Sequence, residues 1–142
     1  VDPRTVGWLQ RALAHEFGAV QQYLAQSVLV RLWGDAALAD ALKREAHEEL
    51  AHAERLMRRL IELGRAPAVG AVAPARLGRD VEALEAANRE LERDAVHLYD
   101  QALAHAQRVR DAATAELLDE VLRAELAHLE ALQHGSQGAV HG

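Results

Sequence analysis

The chain has 142 residues, no cysteine, a formal net charge of -6 at pH 7 and only 4% aromatic residues. That length is enough for one domain with its own core, and the missing thiols exclude a disulfide framework, a thiolate zinc site and an iron–sulfur cluster carried by this chain. Acids outnumber bases 22 to 16, which argues against a nucleic-acid partner, and no apolar run or leader pattern points to a membrane, so the expectation is a soluble, cytoplasmic protein.

Ala, Leu, Glu, Arg and Gln dominate and no alternating Val/Ile/Thr segment suits a strand, so the chain reads as helix almost throughout. Asp2 before Pro3 predicts an N-cap with proline at the first helical position, and Gly34 predicts a stop. Asp35 caps a second helix running to Gly64. The Pro/Gly-rich stretch GRAPAVGAVAPARLGR, residues 64–79, predicts a long crossover. Asp80 opens a third helix, the periodicity breaks between Arg108 and Asp111, and Asp111 caps a fourth helix that gives way near Gly135 to a flexible Gly/His/Ser-rich tail over about 135–142. One long connection between two short turns predicts a single all-α domain over 1–142, a ferritin-like four-helix bundle with its crossover between helices 2 and 3.

Helical periodicity places Leu9, Leu13, Glu16, Val20, Tyr23 and Ser27 on one face of the first helix. Leu38, Leu42, Glu45, Glu49, His52, Leu56 and Leu60 share a face of the second. Val81, Glu85, Asn88, Glu92, Ala95, Tyr99 and Leu103 do so in the third, and Leu118, Val121, Glu125, His128 and Leu132 in the fourth. Every helix thus turns a carboxylate inward, which is costly unless the group is protonated, paired or bound to a cation. Two divalent cations would neutralise four such groups.

The pattern is a repeat. One and the same sequence interval separates Glu16 from Glu92, Tyr23 from Tyr99, Glu49 from Glu125 and His52 from His128. Each half brings one lone Glu and one Glu-x-x-His pair, whose members share a helix face. Two lone Glu and two Glu-x-x-His form the ligand set of di-iron and di-manganese carboxylate bundles. The remaining histidines, His15, His47, His97 and His105, fall off these faces and read as surface or boundary residues, while Val28, Leu29, Leu32 and Trp33 make an apolar outer patch suited to a subunit contact.

On the segments EFGAVQQY (Glu16 to Tyr23), HEELAHAERL (His47 to Leu56), GRDVEALEAANRELERDA (Gly78 to Ala95) and RAELAHLE (Arg123 to Glu130), the chain resembles the bacterioferritins. The resemblance implies Glu16 and His52 as terminal ligands of one metal, Glu92 and His128 as terminal ligands of the other, bridging Glu49 and Glu125, and Tyr23 beside the site. It implies two iron ions per chain, with Mn or Zn able to substitute, and a ferroxidase that uses O2 or H2O2 to oxidise Fe(II) for storage and detoxification. Family members bind haem through a methionine at the position of Leu50, so no haem is expected. They continue into a fifth short helix of a 24-subunit cage where this chain reads GSQGAVHG, so the expected assembly is a homo-oligomer of at least two chains, with the cage as its upper form. The alternative is a small rubrerythrin-like di-iron oxidase or peroxidase without a mineral-storing cage; Ala95, where such proteins carry a further Glu, and the absence of a Cys-rich domain weigh against it.

Overall fold

A computed structural model describes the backbone of residues 1–141 and the side chains of residues 1–134. Its helices are α1 (Pro3–Leu32), α2 (Ala36–Glu62), α3 (Val81–Arg108) and α4 (Ala112–His141). The four predicted caps set their starts. Asp2 accepts a hydrogen bond from the Arg4 N–H, Asp35 from the Leu38 N–H, Asp80 from the Ala83 N–H and Asp111 from the Thr114 N–H, at 3.3, 3.0, 2.8 and 3.1 Å respectively. Each bond satisfies a donor that the first helical turn leaves open. Among the described residues no helix is long and apolar enough to cross a membrane.

The chain divides into two compact units, Val1–Leu77 and Gly78–Gly142. In the first, α1 packs on α2 in antiparallel sense, since Glu16 lies opposite His52 and Ser27 opposite Ala39, whose carbonyl accepts the Ser27 hydroxyl at 2.7 Å. Ala12 and Ala19 of α1, and Ala39, Ala46 and Ala53 of α2, are all buried. Their spacing of seven along each helix puts small side chains on one seam, where two backbones can approach closely. Leu9, Leu13, Leu56 and Leu60 fill the remaining volume with no exposed surface, each contributing about 2 kcal/mol of burial. Near the turn, the Arg31 guanidinium hydrogen-bonds Asp40 at 2.7 Å and holds its carboxyl below the usual carboxylate range; the pair is exposed and adds little to stability.

The crossover runs back along α1 in an extended form. Gln10 brackets its start, donating to the Ala66 carbonyl at 3.2 Å and accepting from the Ala68 N–H at 2.9 Å. Buried Gln22 and Gln26 hold its end through Arg76, the former accepting from the Arg76 N–H at 3.3 Å and the latter donating to the Arg76 carbonyl at 2.8 Å. Side-chain amides thereby take up backbone groups that no neighbouring strand satisfies. Three glutamines in a helix gave no sequence sign of this role.

In the second unit α3 packs on α4, with Leu84, Ala95, Tyr99, Leu118 and Val121 at its centre. Three expectations shift here. Val81 is 39% exposed, because it is the first helical residue after the cap, and the core face of α3 begins at Leu84 instead. His105, expected near the surface, is buried, since the face through Ala95, Tyr99, Ala102 and Ala106 continues to the last turn and His105 flanks it. The fourth helix also continues past Gly135 to His141. Gly135 and Gly138 each disfavour helix by only about 1 kcal/mol and no proline intervenes to force a stop.

The two hairpin turns close in the same way, at equivalent positions of the repeat. After α1, the Gly34 and Asp35 N–H groups bond back to the Arg31 and Val30 carbonyls; after α3, those of Arg110 and Asp111 bond to Gln107 and Ala106. This closure needs a left-handed residue. Gly34 supplies it at φ 92°, whereas Arg110 adopts φ 58° despite its Cβ. Arg110→Gly is therefore expected to raise stability by about 0.5–1 kcal/mol, the relieved strain exceeding the added freedom of the unfolded chain, as read by thermal unfolding.

Candidate metal centre

Each unit buries one copy of the repeated constellation. In the first, Glu16 on α1 meets Glu49 and His52 on α2. The i, i+3 spacing stacks Glu49 and His52 on one face of α2, leaving the His52 Nδ1 at 3.4 Å from a Glu49 oxygen and 3.7 Å from a Glu16 oxygen. Glu16 and Glu49 have no exposed surface and the His52 side chain retains 12%. In the second, Glu92 on α3 meets Glu125 and His128 on α4; both carboxylates are 1% exposed and the imidazole is half-buried. Within each triad the potential ligand atoms lie within 4.8 Å of one another. Atoms this close can converge on a common ion.

The donor chemistry matches this geometry. Two carboxylates and one imidazole per unit offer hard oxygen and borderline nitrogen atoms, a mixture suited to Fe(II), Mn(II) or Zn(II). The Oε2 atoms of Glu16, Glu49 and Glu92, the Oε1 of Glu125 and the Nδ1 atoms of His52 and His128 are all shielded from solvent. Two carboxylates against one imidazole leave an excess of negative charge in a low-dielectric interior, and a divalent cation offsets it. The six residues singled out by the internal repeat are thus brought together three by three. Tyr23 is buried in the first unit and Tyr99 in the second, at 2% and 0% exposure. Glu45 is half-buried on the same face of α2, one turn before Glu49.

Helical hairpins that each bury a carboxylate, a second carboxylate and an imidazole define a metal-binding all-α protein. The comparisons with known proteins narrow the class. A family model described as "Ferritin-like domain" matches residues 7–135. The chain is 32% identical over 132 residues to a bacterioferritin of Brucella melitensis, covering 93% of this chain and 82% of that protein. Bacterioferritins of Rhodobacter capsulatus and Mycobacterium leprae match the same share of the chain at 26% and 24% identity, over 82% and 83% of their own lengths. The chain belongs to the ferritin-like family, with bacterioferritins among its relatives, and its fold class is the ferritin-like four-helix bundle.

Proposed function

We propose that this protein is a ferroxidase of the bacterioferritin type, acting in iron storage and detoxification. The observation that carries the reading is the duplicated buried triad: Glu16, Glu49 and His52 in one unit, Glu92, Glu125 and His128 in the other. By the bacterioferritin resemblance the six residues would hold a pair of ions: Glu16 and His52 would terminate one, Glu92 and His128 the other, and Glu49 and Glu125 would bridge. Two Fe(II) ions are the substrate, and each gives up one electron. Reduction of O2 to H2O2 takes those two electrons and two protons; reduction of H2O2 to two waters takes two of each as well. Carboxylates suit the product, because Fe(III) is the harder ion and binds anionic oxygen more strongly. In this reading Tyr23 lies beside the centre, where its phenol can hydrogen-bond to a ligand or give up an electron.

The protein works as a homo-oligomer in this reading. Leu24, Val28, Leu32 and Trp33 are 40%, 63%, 81% and 42% exposed along one side of α1 and its end, an apolar surface suited to a second copy. Leu50 offers no thioether, so haem has no place in the proposal.

Anaerobic Fe(II) titration of the metal-free protein, followed by O2 addition and light scattering on the same sample, tests the reading. Two Fe(II) bound per chain, fast oxidation and much further iron kept in solution are expected. Stoichiometric binding with no iron retained would leave a di-iron oxidase without storage, and the absence of stoichiometric binding would remove the centre altogether.

A further inference from the structure

One member of the repeat is left without a role. Tyr23 and Tyr99 are the only two tyrosines of the chain, and each follows the lone Glu of its half by seven positions. The offset that carries Glu16 to Glu92, Glu49 to Glu125 and His52 to His128 therefore also carries Tyr23 to Tyr99. We propose that Tyr99 is a second positioning phenol of the metal centre, its hydroxyl donating a hydrogen bond to a ligating carboxylate. This rests on the ferroxidase reading above.

Burial and surroundings support it. Tyr23 and Tyr99 are the largest fully buried side chains among the described residues. A buried phenol hydroxyl needs an acceptor, and Tyr99 is partnered within the protein. Along its face of α3, Ala95, Ala102 and Ala106 are buried hydrocarbon; of the buried polar side chains of this helix, Glu92 and Asn88 lie toward its N-terminus and His105 flanks its last turn. Seven residues are nearly two turns, and helical side chains lean toward the N-terminus, so the Tyr99 hydroxyl is carried toward the level of the carboxylates and away from the distal turn. Packing alone does not call for tyrosine here. The apolar core of both units is otherwise Leu, Ala and Val, and Phe would fill the same volume without a hydroxyl to satisfy. Donation to one carboxylate oxygen leaves the other for the metal and fixes the plane of the group. Partners of this kind typically change metal affinity by about 10–100-fold.

The test is anaerobic Co(II) titration of the metal-free wild type, Tyr23→Phe, Tyr99→Phe and the double variant, followed by cobalt d–d absorption, with thermal unfolding of each metal-free protein alongside. Wild type is expected to bind two Co(II) per chain. Tyr99→Phe should keep that stoichiometry but bind one ion about 10–100-fold more weakly, with a displaced d–d band, and the double variant should weaken both. A Tyr99→Phe titration superimposing on wild type in affinity and spectrum, whatever its thermal stability, would reduce Tyr99 to a packing residue and overturn the inference alone. Failure of wild type to bind cobalt stoichiometrically would overturn the ferroxidase reading and this inference with it. A second readout does not depend on altering Tyr99. In Tyr23→Phe, Tyr99 is the only tyrosine, and its ultraviolet absorption should still change on Co(II) addition; a silent spectrum in a variant that binds cobalt counts against the proposal.

Discussion

Glutamine in place of both Glu49 and Glu125 is expected to abolish tight metal uptake and, in the same protein, to stabilise the metal-free fold. Glutamine keeps the size and shape of glutamate but not its charge. Glu49 is 0% and Glu125 1% exposed, and a buried charge that no cation offsets is costly to the fold. Exchange for a neutral side chain removes that penalty, and we expect a gain of about 1–3 kcal/mol over the metal-free wild type by denaturant unfolding with a chelator present. Loss of two anionic ligands should weaken metal binding by more than about 100-fold and bring Fe(II) oxidation down to the rate in buffer. The signs separate two accounts of these residues. If Glu49 served chiefly as an ion-pair partner of His52, which it approaches at 3.4 Å, its removal would cost stability, since only Glu16, at 3.7 Å, would remain beside the imidazole.

Much of this was legible in the residues, for local reasons. Asp2, Asp35, Asp80 and Asp111 announce helix starts because an N-cap is chemistry between neighbours, and all four caps form where the sequence places them. The two triads were legible because a constant interval between like residues is an arithmetic signal that does not depend on knowing how helices pack. What stayed hidden depends on tertiary surroundings. Gln22 and Gln26 look like exposed helix residues until the crossover is laid beside them, and only then do their buried amides find the Arg76 backbone. His105 sits one residue from the regular stripe, and burial at the edge of a face depends on how far the neighbouring helix extends. The fourth helix continues past Gly135 because a glycine disfavours helix by only about 1 kcal/mol, which is a weak brake on a helix already under way.

Metal binding to the two triads is expected to raise the thermal midpoint by more than any single core substitution would lower it. A ligand that binds only the folded chain stabilises it by about 4 kcal/mol when its free concentration is 1,000 times its dissociation constant. Two ions supply about 8 kcal/mol, and at roughly 2–4 °C per kcal/mol for a chain near this size the shift is on the order of 15–30 °C. Calorimetry with Co(II) or Zn(II) against a chelator measures it. The choice of cation gives the test its specificity. Each triad includes an imidazole, His52 or His128, and nitrogen donors favour Co(II) and Zn(II), whereas Mg(II) and Ca(II) prefer oxygen and water. A centre built as proposed should therefore respond to Co(II) and Zn(II) and stay nearly silent to Mg(II) and Ca(II) at the same free concentration. A general acidic surface, such as the charge of -6 would provide, would respond to all four alike and lose its response in salt. Replacement of His52 or His128 by alanine should each take away about half of the shift, because in the proposed centre each imidazole terminates one ion. Glu49→Gln should take away more than half, because a carboxylate that bridges, as proposed, serves both ions. Unequal loss between terminal and bridging ligands separates a coupled pair of ions from two independent sites that share the same residues.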